Sequence, residues 1–191
     1  MGIVVDKAAL AVAAFAGRED LRPALACVLL EGGKAVAANG FCLMAADLPG
    51  VPGEGGPLLV PARALTEAVR GLRAKDGEAL EVTADESGGA TLGRPGGDRL
   101  SVPLERWAFP AWEALRPRGE PIARVVLDAR YLAEAAKALA AFGTNNGAVE
   151  VRVHGHDRAV EFRARRPQDD REAFALVMPM SLPAADGDGG S

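Results

Sequence analysis

Three segments of the 191-residue chain share one local pattern, and this repeat restricts the possible folds more than any other feature of the sequence. The segments are residues 5–10, 60–65 and 127–132, which start 55 and 67 positions apart. Each follows a short apolar run and opens a stretch in which apolar residues recur at the spacing of a helix face. Asp6 and Asp128 are suitable helix N-caps. Repeated units of this kind predict an architecture built from copies of one motif.

Three runs of strand length follow each predicted helix. They are 24–30, 34–38 and 41–48 in the first repeat, 79–84, 90–93 and 99–104 in the second, and 148–153, 159–164 and 173–178 in the third. A further short strand precedes each helix, at 3–5, 58–60 and 125–127. Glycine-containing turns at 32–33 and 39–40 are typical of β-hairpins. The predicted fold class is α+β, with three β-α-β-β-β half-domain repeats and helices on one face of antiparallel sheets.

Stretches rich in proline and glycine separate the repeats, at residues 49–57 and 116–121. We expect the first two repeats to form one domain and the third repeat to form a half-domain. The expected boundaries are 1–115 for the first domain, with halves 1–49 and 57–115, then 122–182 for the third half-domain and 183–191 for a disordered polar tail.

The composition argues against several classes of protein. Hydrophobic residues make up 49% of the chain and charged residues 25%, which is typical of a globular protein rather than a disordered one. No apolar stretch approaches the roughly 20 residues of a membrane span, and the N-terminal residues lack the features of a secretory signal. Two cysteines do not make a disulfide framework, which favours a reducing compartment. We therefore expect a cytoplasmic protein with no membrane partner.

Motifs for catalysis or cofactor binding are not found in the sequence. It contains no phosphate-binding lysine loop, no nucleophile elbow and no dinucleotide-binding glycine motif. His154 and His156 lie on one face of a predicted strand and could begin a metal site, but no second pair of ligands at a suitable spacing is present. Exposed strand residues are the favoured interpretation. We expect no catalytic site, no cofactor and no metal.

Four short motifs occur in a characteristic order along the chain. They are Asp-Leu-Arg-Pro-Ala-Leu at 20–25 followed by Val-Leu-Leu-Glu at 28–31, Ala-Ala-Asn-Gly-Phe-Cys-Leu at 37–43, Phe-Pro-Ala-Trp at 109–112, and Val-Met-Pro-Met-Ser-Leu at 177–182. In this order they resemble motifs of the DNA polymerase III beta sliding clamp family. The last two are the most specific, and the resemblance extends over most of residues 1–182.

The resemblance has consequences for assembly. The family builds each of three domains from two β-α-β-β-β halves, and residues 1–115 resemble a whole middle domain. Residues 122–182 resemble the second half of the last domain, so the chain offers three halves rather than six. A ring of twelve halves would then need four chains, and a C2 pairing of two third repeats could complete a shared domain. We expect self-association into a dimer or a tetramer.

The resemblance also implies contact with duplex DNA through its backbone, without sequence specificity. The positions of Arg63, Glu67 and Arg70 in the second repeat are occupied in the third repeat by Arg130, Glu134 and Lys137. In each helix these three positions lie on one stripe of the surface. The expected DNA-facing residues are Arg63, Arg70, Arg73, Arg130 and Lys137. A solvated helix face with ion pairs four residues apart is the alternative, because the formal net charge of the chain is −4.

In the first helix, the positions equivalent to this basic stripe are Ala8, Val12 and Phe15. Such a stripe would expose large apolar side chains if it faced solvent. We therefore expect Val12 and Phe15 to form an oligomer or partner face.

A second implied site is a hydrophobic pocket that binds a short linear motif of a DNA polymerase or repair protein. Carried over by position, its residues are Ala38, Leu43, Leu115, Leu176, Met178, Pro179 and Met180. Phe41 and Cys42 stand where the family has His and Arg, which makes the site more apolar. The alternative is that residues 176–180 are only a buried terminal strand.

The sequence therefore predicts a DNA-replication accessory protein, a processivity factor that surrounds DNA and tethers its partners. The alternative is a clamp-fold interaction module, or a decoy of a full-length clamp, that never encircles DNA.

Overall fold

The fold is described from a computed structural model of the chain. It describes residues 2–18, 22–49, 56–69, 79–85, 88–93, 97, 99–143 and 147–181. The predicted tail at 183–191 lies outside these residues. The chain divides into two compact units, Met1–Arg116 and Pro117–Ser191.

The first unit contains eight strands, one α-helix and three short 3-10 helices among its described residues. Their order is β1 Ile3–Asp6, η1 Ala9–Phe15, η2 Pro23–Ala26, β2 Cys27–Glu31, β3 Lys34–Ala38, β4 Leu43–Asp47, β5 Leu58–Pro61, α1 Ala62–Val69, β6 Ala79–Ala84, β7 Gly89–Gly93, β8 Arg99–Pro103 and η3 Trp112–Leu115. The predicted hairpin of β2 and β3 is confirmed, and Gly32 and Gly33 both have positive φ in its two-residue turn.

The two halves of this unit exchange their first strands. The sheets have the orders β1-β6-β7-β8 and β4-β3-β2-β5, and every pairing is antiparallel. Val4 of the first half lies opposite Glu81 of the second, and Val60 of the second lies opposite Val28 of the first. Neither half therefore completes its four-stranded sheet without a strand from the other.

One core is shared by both sheets and by the helices of both halves. Leu10 of η1 and Leu65 of α1 belong to the same buried cluster as Val28, Leu30 and Val82. Leu65, Val28, Leu30 and Val82 are fully buried. Burial of several such side chains, each contributing about 1.5–3 kcal/mol, binds the two halves into one domain.

The first helix differs from the prediction in its type. It is a 3-10 helix with three residues per turn, so Ala9, Val12 and Phe15 share one face. Val12 is fully buried and Phe15 packs partly buried against the shared core. The expected partner face of Val12 and Phe15 is therefore wrong, because the stripe was placed with α-helical spacing. The predicted cap is present, since the Asp6 carboxylate accepts a hydrogen bond of 2.7 Å from the Ala9 N–H.

The second unit contains one helix and one three-stranded sheet among its described residues. They are α2 Ala129–Gly143, β9 Glu150–Arg152, β10 Val160–Arg165 and β11 Glu172–Val177, and the antiparallel sheet has the order β11-β10-β9. Ala135 and Leu139 of α2 pack against Val160, Phe162 and Ala164 of β10. Helix and sheet thus form a small core on one face of the sheet.

Residues 125–127 do not form the predicted first strand of the third repeat. The equivalent strands β1 and β5 each pair with a sheet of the other half, and an extended segment needs such an edge to become a strand. The α+β fold class and the repeats are otherwise confirmed.

Candidate functional site

The outer face of the second sheet is covered by the segment that follows β8. Val28 and Leu30 of β2 point into the shared core, whereas Cys27 and Leu29 point to the other face of the sheet. There they pack with Trp112 of η3, which is only 8% exposed. Trp112 therefore fastens the 109–115 segment to this sheet.

A cavity of about 420 Å³ opens beside this segment. It is lined by Arg22, Leu25, Ala38, Gly40, Phe41, Cys42, Leu43, Phe109, Pro110 and Leu115. Three of the predicted peptide-pocket residues, Ala38, Leu43 and Leu115, thus line one cavity. Position-by-position comparison missed Leu25, Phe109 and Pro110, although the Phe-Pro-Ala-Trp motif contains two of these three.

The loop between β3 and β4 forms one rim of the cavity. The Asn39 side-chain oxygen accepts hydrogen bonds from the N–H groups of Phe41, at 2.9 Å, and Cys42, at 3.0 Å. Gly40 has a φ of +90°, a conformation that favours glycine. The loop holds the Phe41 ring wholly exposed beside the cavity. An aromatic ring in that position is an apolar surface available to a partner.

The other four residues of the predicted pocket belong to the second unit. Leu176 lies in β11, and Met178, Pro179 and Met180 follow it. Leu176, Met178 and Met180 are at least half exposed, whereas Val177 is buried. These exposures contradict the alternative that 176–180 is only a buried terminal strand. That all seven residues form one pocket remains a prediction.

The expected DNA-facing residues are partly engaged in ion pairs. Arg63 Nε lies 3.0 Å from Glu67 Oε1, four residues along α1, and Arg130 Nη2 lies 2.6 Å from Asp128 Oδ2. The first pair matches the ion-pair alternative, and exposed pairs of this kind contribute little to stability. Lys137 lies on the exposed surface of α2. Arg70 and Arg73 lie outside the described residues.

Arg130 and Asp128 together form the start of α2. The Arg130 guanidinium donates to the Asp128 carboxylate and lowers the pKa of that carboxyl, and the backbone N–H of Arg130 adds to the effect from 2.8 Å. The hydrogen bond between the two side chains also raises the pKa of the Arg130 guanidinium. The predicted capping role of Asp128 is thereby confirmed.

We expect the stabilising charge of Asp128 to depend on pH. Because its pKa is lowered in the folded state, its charge stabilises the fold at pH above the unfolded pKa and ceases to do so as the pH falls through the folded value. Asp128→Asn keeps a capping oxygen without the charge. Its thermal midpoint, measured by circular dichroism, should lie below that of the original chain at pH 7. The difference should shrink as the pH falls below about 4 and vanish once the pH lies below the folded pKa of Asp128. A difference between the two chains that is the same at all pH values would contradict this role.

The described part of the chain contains both histidines, His154 and His156, and many carboxylates. There, no three His, Cys, Asp or Glu side chains are grouped so that they could hold a metal ion. His154 is exposed and lies 3.8 Å from Glu161, in a series of charged side chains on the outer face of the second unit's sheet. Within the same residues, no helix combines the length and apolar character that a membrane crossing requires.

Several DNA polymerase sliding clamps of known structure have the same fold. The clamp of Bacillus subtilis superposes with a TM-score of 0.72 at 13% identity, over 94% of this chain and 49% of the clamp. The DNA polymerase III beta subunit of Borrelia burgdorferi, in complex with a natural product, gives 0.77 at 12% identity, over 93% and 48%. The Pseudomonas aeruginosa clamp bound to griselimycin gives 0.71 at 19% identity, over 95% and 51%.

The chain therefore has the sliding-clamp fold, as the four sequence motifs predicted. It spans about half the length of the clamps it matches. No protein-family model matches the sequence, and no curated protein matches it either.

Proposed function

We propose that this chain is a clamp-like DNA-replication accessory protein of the cytoplasm, which tethers a DNA polymerase or repair protein and carries no catalytic site or cofactor of its own. The observation that carries the proposal is the cavity in the first unit. It joins Ala38, Leu43 and Leu115 beside the wholly exposed ring of Phe41. The clamp fold supports a role in replication.

The chemistry of the cavity suits a short hydrophobic peptide segment. Leucine, phenylalanine and proline side chains supply most of the lining, and Arg22 is its one formally charged residue. Apolar clefts with few polar groups bind leucine or aromatic anchors. In the proposal, Leu176, Met178, Pro179 and Met180 extend the same site. The two methionines would adapt their shape to different partners.

Contact with duplex DNA is the second element of the proposal. Arg63, Arg70, Arg73, Arg130 and Lys137 would contact phosphates without reading the base sequence. A second candidate function is a peptide-binding module that does not encircle DNA. The pairing of Arg63 with Glu67 and of Arg130 with Asp128 favours this candidate, because it reduces the positive charge available to phosphates.

Binding of a fluorescent peptide with a hydrophobic clamp-binding motif tests the proposal. We expect Phe41→Ala and Leu115→Ala each to weaken binding about tenfold or more, because both side chains are exposed at the cavity and their loss removes apolar contact with the peptide. Fluorescence anisotropy measures the affinity. Leu100→Ala is the matched control, since Leu100 is an exposed leucine of β8 outside the cavity lining.

Peptide affinity that is the same in all three variants, or no binding by the original chain, would refute the peptide site. Retention of circular duplex DNA, measured over a range of salt concentrations, separates the two candidate functions. The processivity role requires salt-sensitive retention, and the module role requires none.

A further inference from the structure

Among the described residues, the third half-domain has a sheet edge that the other two halves do not leave open. In the first unit, the strand that follows each helix lies between two neighbours: β2 between β3 and β5, and β6 between β7 and β1. The equivalent strand of the second unit, β9, pairs with β10 only, as far as the described residues extend. The outer edge of β9 thus corresponds to the edge that receives an exchanged strand.

The segment that would be exchanged is already positioned. In the first unit, the N–H of Glu105, just after β8, donates to the Leu59 carbonyl of β5 at 3.0 Å. In the second unit, the N–H of Met180, just after β11, donates to the Val126 carbonyl at 2.8 Å. Val126 is equivalent to Leu59 in the repeat. Residues 125–127 are therefore bound to their own half in the same way as β5 is. Among the described residues, however, no strand pairs with their other side, where β5 has β2.

Burial at equivalent helix positions supports the same conclusion. Leu10 and Leu65 are 7% and 0% exposed, because each half buries the other's leucine in the shared core. Their equivalent in α2, Leu132, is 38% exposed. Val151, which pairs with buried Phe162 on the core face of the sheet, is 56% exposed. As far as the structure describes the second unit, the surface that a second half covers in the first unit is thus uncovered there.

We propose that two copies of this chain associate through their second units across a twofold axis, and that each copy adds residues 125–127 antiparallel to the partner's β9. Each sheet would then have four strands, in the order β11-β10-β9 followed by the partner's segment. This order matches β8-β7-β6-β1 of the first unit. The association does not depend on peptide binding in the cavity.

A second copy fits this surface better than an unrelated partner does. The same half carries both the strand to be given and the edge that receives one, so a twofold axis satisfies both at once. The two halves of the first unit already show this reciprocal exchange. An unrelated extended peptide would pair with β9 but would leave residues 125–127 and Leu132 uncovered.

Sedimentation equilibrium of the full chain at 1–100 μM tests the proposal. The chain has a mass of 19.7 kDa, and we expect a species of twice that mass. Leu132→Lys and Val151→Lys place a charge where the partner would bury it, so each should raise the dimer dissociation constant about a hundredfold or more. Phe174→Lys is the matched control, because Phe174 is an exposed residue of β11, at the other edge of the sheet. It should leave the dimer intact.

Hydrogen exchange on the unaltered chain gives a second measurement that does not depend on the variants folding. Amides of residues 125–127, and those of residues 150–152 that point away from β10, should be protected at 100 μM and lose protection on dilution to 1 μM. A monomer throughout this range would overturn the proposal. So would a dimer that keeps its affinity in both lysine variants, or one whose dissociation leaves the exchange of these amides unchanged.

Discussion

Trp112→Ala is expected to lower the free energy of unfolding of the first unit by about 3–5 kcal/mol. The indole is buried against Cys27, Leu29, Val36 and Leu59, and its removal leaves a large cavity on the outer face of the second sheet. Urea unfolding followed by circular dichroism measures the change.

The same substitution should also abolish the proposed binding of a peptide in the cavity. Phe109 and Pro110 line that cavity, and they are held to the sheet by the segment that Trp112 anchors. The second tryptophan supplies the control, because Trp107 is 57% exposed and Trp107→Ala should change the stability by less than about 1 kcal/mol. Equal effects of the two substitutions would show that Trp112 does not anchor the segment.

Leu65→Ala is expected to cost about 2–5 kcal/mol of unfolding free energy. Leu65 is fully buried in the core that the two halves share, and Leu10 of the first half belongs to the same buried cluster. Because the halves exchange β1 and β5, we expect both sheets to unfold in one transition even though the substitution lies in one half. Chemical denaturation observed by circular dichroism and by hydrogen exchange of both sheets measures this.

Leu100→Ala is the control for this substitution as well, since its exposed side chain should contribute less than about 1 kcal/mol. A variant in which one sheet loses protection while the other keeps it would contradict the shared core.

Much of the fold could be predicted from residues that act locally. The Gly32-Gly33 turn and the helix caps of Asp6 and Asp128 each depend on a few neighbouring residues. A short stretch of sequence is therefore enough to predict them. The strand exchange could not be predicted in this way. The apolar residues of β5 are compatible with pairing to the edge strand of any sheet. Only the tertiary packing of the domain determines that β5 pairs with β2.

The candidate site was predicted in part for a similar reason. Ala38, Leu43 and Leu115 were recognised by resemblance, and the cavity contains all three. The packing of Trp112 against β2 could not be predicted from the sequence. A continuous apolar run such as Cys-Val-Leu-Leu indicates that both faces of the strand are buried, but it does not indicate which residues bury each face. Val12 was misplaced because α and 3-10 helices distribute the same residues on different faces.

The exchange of first strands also sets the order in which the first unit can form during synthesis. The residues of β1 pair with residues of β6 that are 73 to 79 positions later in the chain. Until the ribosome has released β6, β1 has no partner strand. During that time β1 stays unpaired and the apolar side chains of the first half stay exposed. Such distant pairing raises the contact order, which slows folding. Newly made chains thus pass through a stage in which an unpaired strand and the apolar surface beside it are exposed.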